Sequence, residues 1–145
     1  MDKAGFVGWV PLVGIQATAL PKLHGVYVVV RTAESERAFI TTNAAEKGTR
    51  AKAYPVTELE NQWLTTTPVL YIGKAAGSRG LAQRLVPFGR KATSHSGGRS
   101  IWQLADADDL LVAWRIARDA SALEMAMIAA FALKFGQRPF ANRRN

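Results

Sequence analysis

A small α/β domain is the fold class this sequence predicts, with a central three-stranded sheet, mixed or antiparallel, flanked by helices. Three observations predict it. Short runs of β-branched and aromatic residues at Gly25–Val30, Val69–Ile72 and Asp109–Ile116 read as buried strands. Helically spaced apolar residues recur between Ser78 and Phe88 and between Ser121 and Phe135, without strict alternation of strand and helix. The chain has 145 residues, 48 % of them apolar and 21 % charged, which suits a single domain around one core.

In chain order, residues 1–23 carry Gly5, Gly8, Pro11, Gly14 and Pro21 and read as an irregular lead-in that packs apolar side chains under the core. The strand Gly25–Val30 follows. From Thr32 to Asn61 the composition turns mixed and polar, with Phe39–Ile40 as a short strand candidate and Thr57–Leu64 as a short helix, where Thr57 and Glu60 have capping-box spacing. The second strand ends at Gly73. Ser78 is the expected N-cap of the next helix, which places Leu81 and Leu85 on one face. Gly97 and Gly98 then break the chain before Ile101–Leu104 and the third strand. The last helix stops at Gly136, with Pro139 just beyond.

Composition removes several function classes. The chain has no cysteine, so disulfides, thiolate ligands and cysteine nucleophiles are excluded. Its two histidines, His24 and His95, are far apart and make a poor zinc set, whereas hard cations held by oxygen remain open. No apolar run approaches the ~18 residues of a membrane span, and no signal-peptide core opens the chain, so a cytoplasmic protein without a membrane partner is expected. The net charge is +8 and uneven: residues 1–71 hold seven Lys or Arg against six acids, residues 72–145 twelve against five. Lys74 to Arg99 contains six basic residues and no acid. That field favours a polyanion such as nucleic acid, or else forms a solvated basic face.

Two tripeptides and a trail of single residues carry the chemistry. Gly25-Val26-Tyr27 opens the first strand and Tyr71-Ile72-Gly73 closes the second; Lys74, Arg84, Glu124 and Asn142 follow in order. Together they resemble the motif set of the GIY-YIG nuclease superfamily, over most of the chain from Gly25 to Asn142. The resemblance implies an endonuclease that hydrolyses DNA phosphodiesters with Mg²⁺ or Mn²⁺, leaving a 5′-phosphate and a 3′-hydroxyl. RNA is left open as a partner, as are a monomer and a homodimer. It further implies Tyr27, Tyr71, Arg84, Glu124 and Asn142 as the catalytic set, with Glu124 holding the metal.

Residue chemistry is compatible with those roles and offers a plainer alternative for each. Tyr27 is a general base or a holder of the attacking water, in which case the site must lower its pKa from ~10, as Lys74, Arg84 and a metal would, or pass the proton onward; or it is a core aromatic. Tyr71 holds the water and the scissile phosphate, or it only packs the strand, and Gly73 gives close backbone approach or a sharp exit from the strand. Arg84 grips a phosphate with paired donors, or lies on the surface. Glu124 shares a helix face with Ile128, Phe131 and Phe135, where a bound cation would relieve an unpaired carboxylate; alternatively Ser121 and Glu124 form a capping box. Asn142 orders the site or is a polar residue near the terminus.

Lys74, Arg79, Arg90, Lys91, Arg99, Arg143 and Arg144 are the expected backbone contacts to nucleic acid. Trp63, Trp102 and Trp114 either stack on unpaired bases or anchor the core; Trp114 reads as core and Trp102 stays open. Two features depart from the family pattern. Phe88 stands one helical turn after Arg84, where many members have a histidine or another polar residue, and His95 is the candidate substitute as proton relay or phosphate contact, or else an exposed loop histidine. The 44 positions between Tyr27 and Tyr71 imply an insertion at about 32–67 within the single domain of residues 1–145, expected to form a subdomain of its own for substrate choice or dimer contacts.

Overall fold

The computed structural model describes residues 5–43, 53–92 and 98–143. Four strands, one more than the sequence predicts, make a single antiparallel sheet: β1 (Val7–Pro11), β2 (Gly25–Val30), β3 (Val69–Ala75) and β4 (Leu111–Ile116), in the order β1-β4-β2-β3. The additional strand comes from the supposedly irregular lead-in. Its glycines and proline disguise it because β1 is an edge strand with a bulge between Gly8 and Val10, and an edge tolerates both residue types. Gly8 is required there, with a φ of 104° and a Trp114 ring atom 2.5 Å from where a Cβ would stand.

The strand β2 lies inside the sheet and all six of its residues are buried, as its unbroken apolar run predicts. Alternate side chains feed two cores. Tyr27 and Val29 face one layer with Val112 and Trp114; Val26, Val28 and Val30 face the other with Ile72 and Ala113. The helix α2 (Gly80–Gly89) covers the first face through Leu81, Leu85 and Phe88. The helix α3 (Ala120–Phe135) covers the second through Leu123, Met127, Phe131 and Phe135.

Helix ends differ from the cap signals. Ser78 does not cap α2: the helix begins at Gly80 after Arg79 with no side-chain cap, and Gln83 reaches back to accept from the Arg79 N–H at 2.9 Å. The short helix α1 (Val56–Gln62) follows Pro55 and uses no Thr57–Glu60 capping box; Glu60 instead pairs with Arg37. Asp119 caps α3 by accepting from the Ala122 N–H at 3.0 Å. Ser121 is therefore inside the helix, and the capping-box explanation of Glu124 falls.

Phe39 makes only an isolated bridge to Leu104, and Arg99–Gln103 is a 3-10 helix. The described parts of 32–67 share the main core and do not build one of their own: Leu59 is fully buried in it, and Phe39, Tyr54 and Trp63 pack against it. Gln103, itself fully buried, ties this stretch down. Its amide donates to the carbonyls of Ile40 (3.2 Å) and Tyr54 (3.0 Å), and its oxygen accepts from the Tyr54 N–H (2.7 Å). Trp102 is 1 % exposed, which resolves it as a core residue. Among the described residues no helix is long and apolar enough to cross a membrane.

Candidate functional site

The outer edge of β3 is open to the chain's tail, and a cavity forms where the α2 and α3 layers meet over that edge. It measures about 800 Å³. Tyr71 and Lys74 reach it from β3, Arg84 from α2, Glu124 from α3, and Asn142 from the tail. Residues separated by up to 71 positions in sequence thus line one pocket.

Asn142 works on the strand edge itself. Its side-chain oxygen accepts from the Ile72 N–H and its amide donates to the Ile72 carbonyl, both at 2.9 Å, while the Ala141 N–H donates to Leu70 at 2.8 Å. The amide copies a neighbouring strand and satisfies an edge that would otherwise lie unpaired, each bond contributing about 1 kcal/mol. Ile72 is thereby fixed between the two residues that carry Tyr71 and Gly73.

Tyr27 does not open onto the pocket. It is fully buried one layer beneath, with its ring 6.0 Å from Tyr71 and 6.2 Å from Phe88. Gly73 makes the room: a Cβ there would stand 2.4 Å from the Tyr27 ring and 2.6 Å from its hydroxyl. The close approach at Gly73 is thus made by a side chain of this protein, and β3 runs on past it to Ala75.

Burial, and next the neighbouring Tyr71, push the Tyr27 phenol well above its ordinary pKa; the Arg84 guanidinium pulls the other way without prevailing. The hydrogen bond with Arg84, which can only donate, favours the charged form of Tyr27, and the one with Tyr71 favours the neutral form. Tyr27 therefore stays protonated at neutral pH, contrary to the expectation of a lowered pKa, and it links Arg84 to Tyr71. Phe88 closes the same ring cluster, 5.9 Å from Tyr71 and 5.7 Å from Trp102. A polar side chain at 88 would enter a fully buried site.

Glu124 is the one acid among the described residues lining the pocket. Partial burial raises its pKa, against the opposing pull of Lys74, Arg138 and Arg84. Lys74 donates to Ser121 on the same helix at 3.2 Å, which holds β3 and α3 together beside Glu124. Among the described residues no three His, Asp or Glu side chains gather to hold a metal.

The basic residues divide. Lys74, Arg99 and Arg143 line the pocket; Arg79 and Arg90 are exposed outside it, and Lys91 is paired with Asp108 at 2.8 Å. Arg143 is also matched, by Glu58 and Gln62. His95 and Arg144 lie outside the described residues. The chain matches no family model, no curated protein and no solved structure. Arg138 and Tyr54 line the pocket too, and sequence reasoning missed both. Arg138 had a signal, being a cation four residues before Asn142, but Tyr54 had none because it arrives through a long-range clamp on Gln103.

Proposed function

We propose that this pocket is the active site of a divalent-metal-dependent endonuclease of the GIY-YIG type, hydrolysing DNA phosphodiester bonds. One observation carries the proposal: Tyr71, Lys74, Arg84, Glu124 and Asn142, picked out along the chain by motif order alone, line a single basic pocket at the edge of β3. Phosphodiester hydrolysis needs an oriented water, positive charge against the phosphoryl oxygens and a route for protons.

Arg84 supplies paired donors to a phosphate while a buried phenol braces its guanidinium. Tyr71, on the pocket wall, is the phenol that meets the water and the phosphate. Tyr27 is a positioning residue that holds Arg84 and Tyr71 in register and gives up no proton. Lys74 and Arg138 add charge on the Glu124 side. Asn142 keeps the strand edge that carries Tyr71 in place.

A single carboxylate fits Mg²⁺ or Mn²⁺ that takes its remaining ligands from substrate oxygens and water. Glu124 would hold the ion, which when bound supplies Lewis acidity to the phosphate and the leaving oxygen. The surrounding cations repel a lone divalent ion, so ion and nucleic acid are expected to bind together.

The test is cleavage of labelled duplex, nicked, branched and single-stranded DNA with Mg²⁺ or Mn²⁺, comparing wild type with Glu124→Gln. Cutting that disappears in the variant and in chelator is the expected result. The basic lining with one acid also favours a second reading, a nucleic-acid-binding module with negligible catalysis. It predicts salt-dependent binding by both proteins and cutting by neither.

A further inference from the structure

Part of the pocket wall does no work in the chemistry above. There Tyr54 gathers two guanidinium groups, of Arg143 and Arg99, about its ring. The Arg143 guanidinium carbon lies 3.9 Å from the centre of the Tyr54 ring, and that of Arg99 5.0 Å away. Such contacts hold guanidinium groups beside the aromatic ring, where another flat group can join them.

Two facts set Arg99 apart. Arg143 is matched by Glu58 and Gln62, whereas Arg99 has no carboxylate partner among the described residues. Its Nε is buried and has no hydrogen-bond partner among the described residues, as is also true of Arg37 and Arg138 but not of Arg143. A donor kept from water and left unmade is costly unless a ligand completes it. The wall is also stiff, because Gln103 grips both the N–H and the carbonyl of Tyr54. Gly98 brings the start of the 3-10 helix against Tyr71: a Cβ at 98 would stand 3.1 Å from that ring, so the Arg99 wall and the Tyr71 wall are contiguous.

We propose that Tyr54 and Arg99 form a subsite for one unpaired nucleotide beside the scissile phosphate, so that the substrate is a strand already splayed or single at the cut: a flap, a bulge or a single strand. The guanidinium plane backed by the tyrosine ring stacks on the base, and the spare Arg99 donors take the adjoining phosphate. The cavity, about 800 Å³, is within the ~300–1,000 Å³ range that encloses a small ligand. A base paired in an intact duplex must first be unstacked to enter it, and an unpaired one need not be. This assignment rests on the nuclease reading for the word scissile, but the binding geometry does not require cutting.

The test is therefore binding in chelator, where metal-dependent cutting is silent. A duplex carrying a single-nucleotide bulge of 2-aminopurine is compared with the same duplex fully paired, by anisotropy and by base fluorescence, for wild type, Tyr54→Leu and Arg99→Gln. Wild type is expected to bind the bulged DNA at least tenfold more tightly and to quench the unpaired base. Each variant is expected to cut that ratio at least fivefold and to lose the quench. Arg99→Gln keeps the aliphatic stem and does not touch the Gln103 clamp, so it decides the matter if Tyr54→Leu is poorly folded. Equal affinity of wild type for the two DNAs, or a preference that survives Arg99→Gln, overturns the subsite. An Arg99-dependent preference with no cutting under any condition would uphold the subsite and sink the nuclease reading.

Discussion

Two cavities of nearly equal size lie at opposite ends of β3. The one at its C-terminal end measures about 800 Å³ and holds Arg84, Arg99, Arg138 and Glu124; the one at its N-terminal end measures about 730 Å³ and holds Arg31, Arg37 and Trp63. Both carry arginines and aromatic rings, but Glu34 and Glu36 also line the N-terminal cavity, which is not net basic as the C-terminal one is. Pairing separates them further. Arg31 is bound to Asp106 at 3.0 Å and Arg37 to Glu60 at 2.5 Å, and both stack near Trp63. Among the described residues Arg84, Arg99 and Arg138 have no acid within ion-pair distance. A cation already matched by a carboxylate has little left for a polyanion, so unmatched charge among the described residues is concentrated at the C-terminal cavity, where the proposed site lies.

That contrast can be broken by experiment. The largest expected effect is on cutting: Glu124→Gln should lower the rate by at least about a thousandfold, and Glu60→Gln, in the ion pair beside the other cavity, by less than about twofold. Initial rates at saturating Mg²⁺ measure both. Comparable losses would mean that the cavities are not functionally distinct.

Tyr27→Phe comes next. A general base typically contributes ~10²–10⁴-fold, but a buried hydroxyl that only positions Arg84 and Tyr71 should cost about tenfold in kcat with KM little changed. The pH–rate profile should keep its shape, since Tyr27 does not titrate in the accessible range. A profile that loses its basic limb in the variant would restore Tyr27 as the base.

Salt dependence sharpens the comparison further. Arg99→Gln and Arg138→Gln should each reduce the slope of log affinity against log salt by about one phosphate contact, ~0.9 for duplex DNA and ~0.7 for a single strand. Arg37→Gln should leave the slope unchanged, because its charge is already matched.

The smallest effect is on stability. Burial raises the Glu124 pKa from its ordinary 4.5, so the folded state holds that proton more tightly than the unfolded chain does. Its contribution favours folding below the unfolded value and is lost as pH rises through the folded one. Without metal, Glu124→Gln should raise the melting temperature slightly at neutral pH and flatten its decline above the carboxylate range. Thermal melts from pH 4 to pH 8 in chelator, a range spanning the ordinary carboxylate value, would show no difference in slope if Glu124 were fully solvated.

Much of the fold was legible because it rests on local patterns. The strand Gly25–Val30 and the last helix, ending at Gly136, follow from a β-branched run and from a glycine stop. The first strand was not legible, since a bulged edge strand with Gly8 and Pro11 lacks clean alternation. The cap residues misled at Ser78, Thr57 and Ser121: Gln83 accepts from the Arg79 N–H at the start of α2, Glu60 pairs with Arg37, and Lys74 takes the Ser121 hydroxyl.

The sequence by itself determined the sheet-and-helix class, the absence of thiol chemistry, the concentration of positive charge after residue 72, and the order of the candidate site residues. These depend on composition and on neighbours a few positions apart. Only the tertiary structure decided that Tyr27 lies beneath the pocket and stays protonated, that among the described residues Arg143 is matched while Arg99 is not, and that Tyr54 and Arg138 join the wall. Burial and ion pairing are set by segments that meet across the edge of β3 from far apart in the chain, and no local pattern encodes which charge will find a partner there.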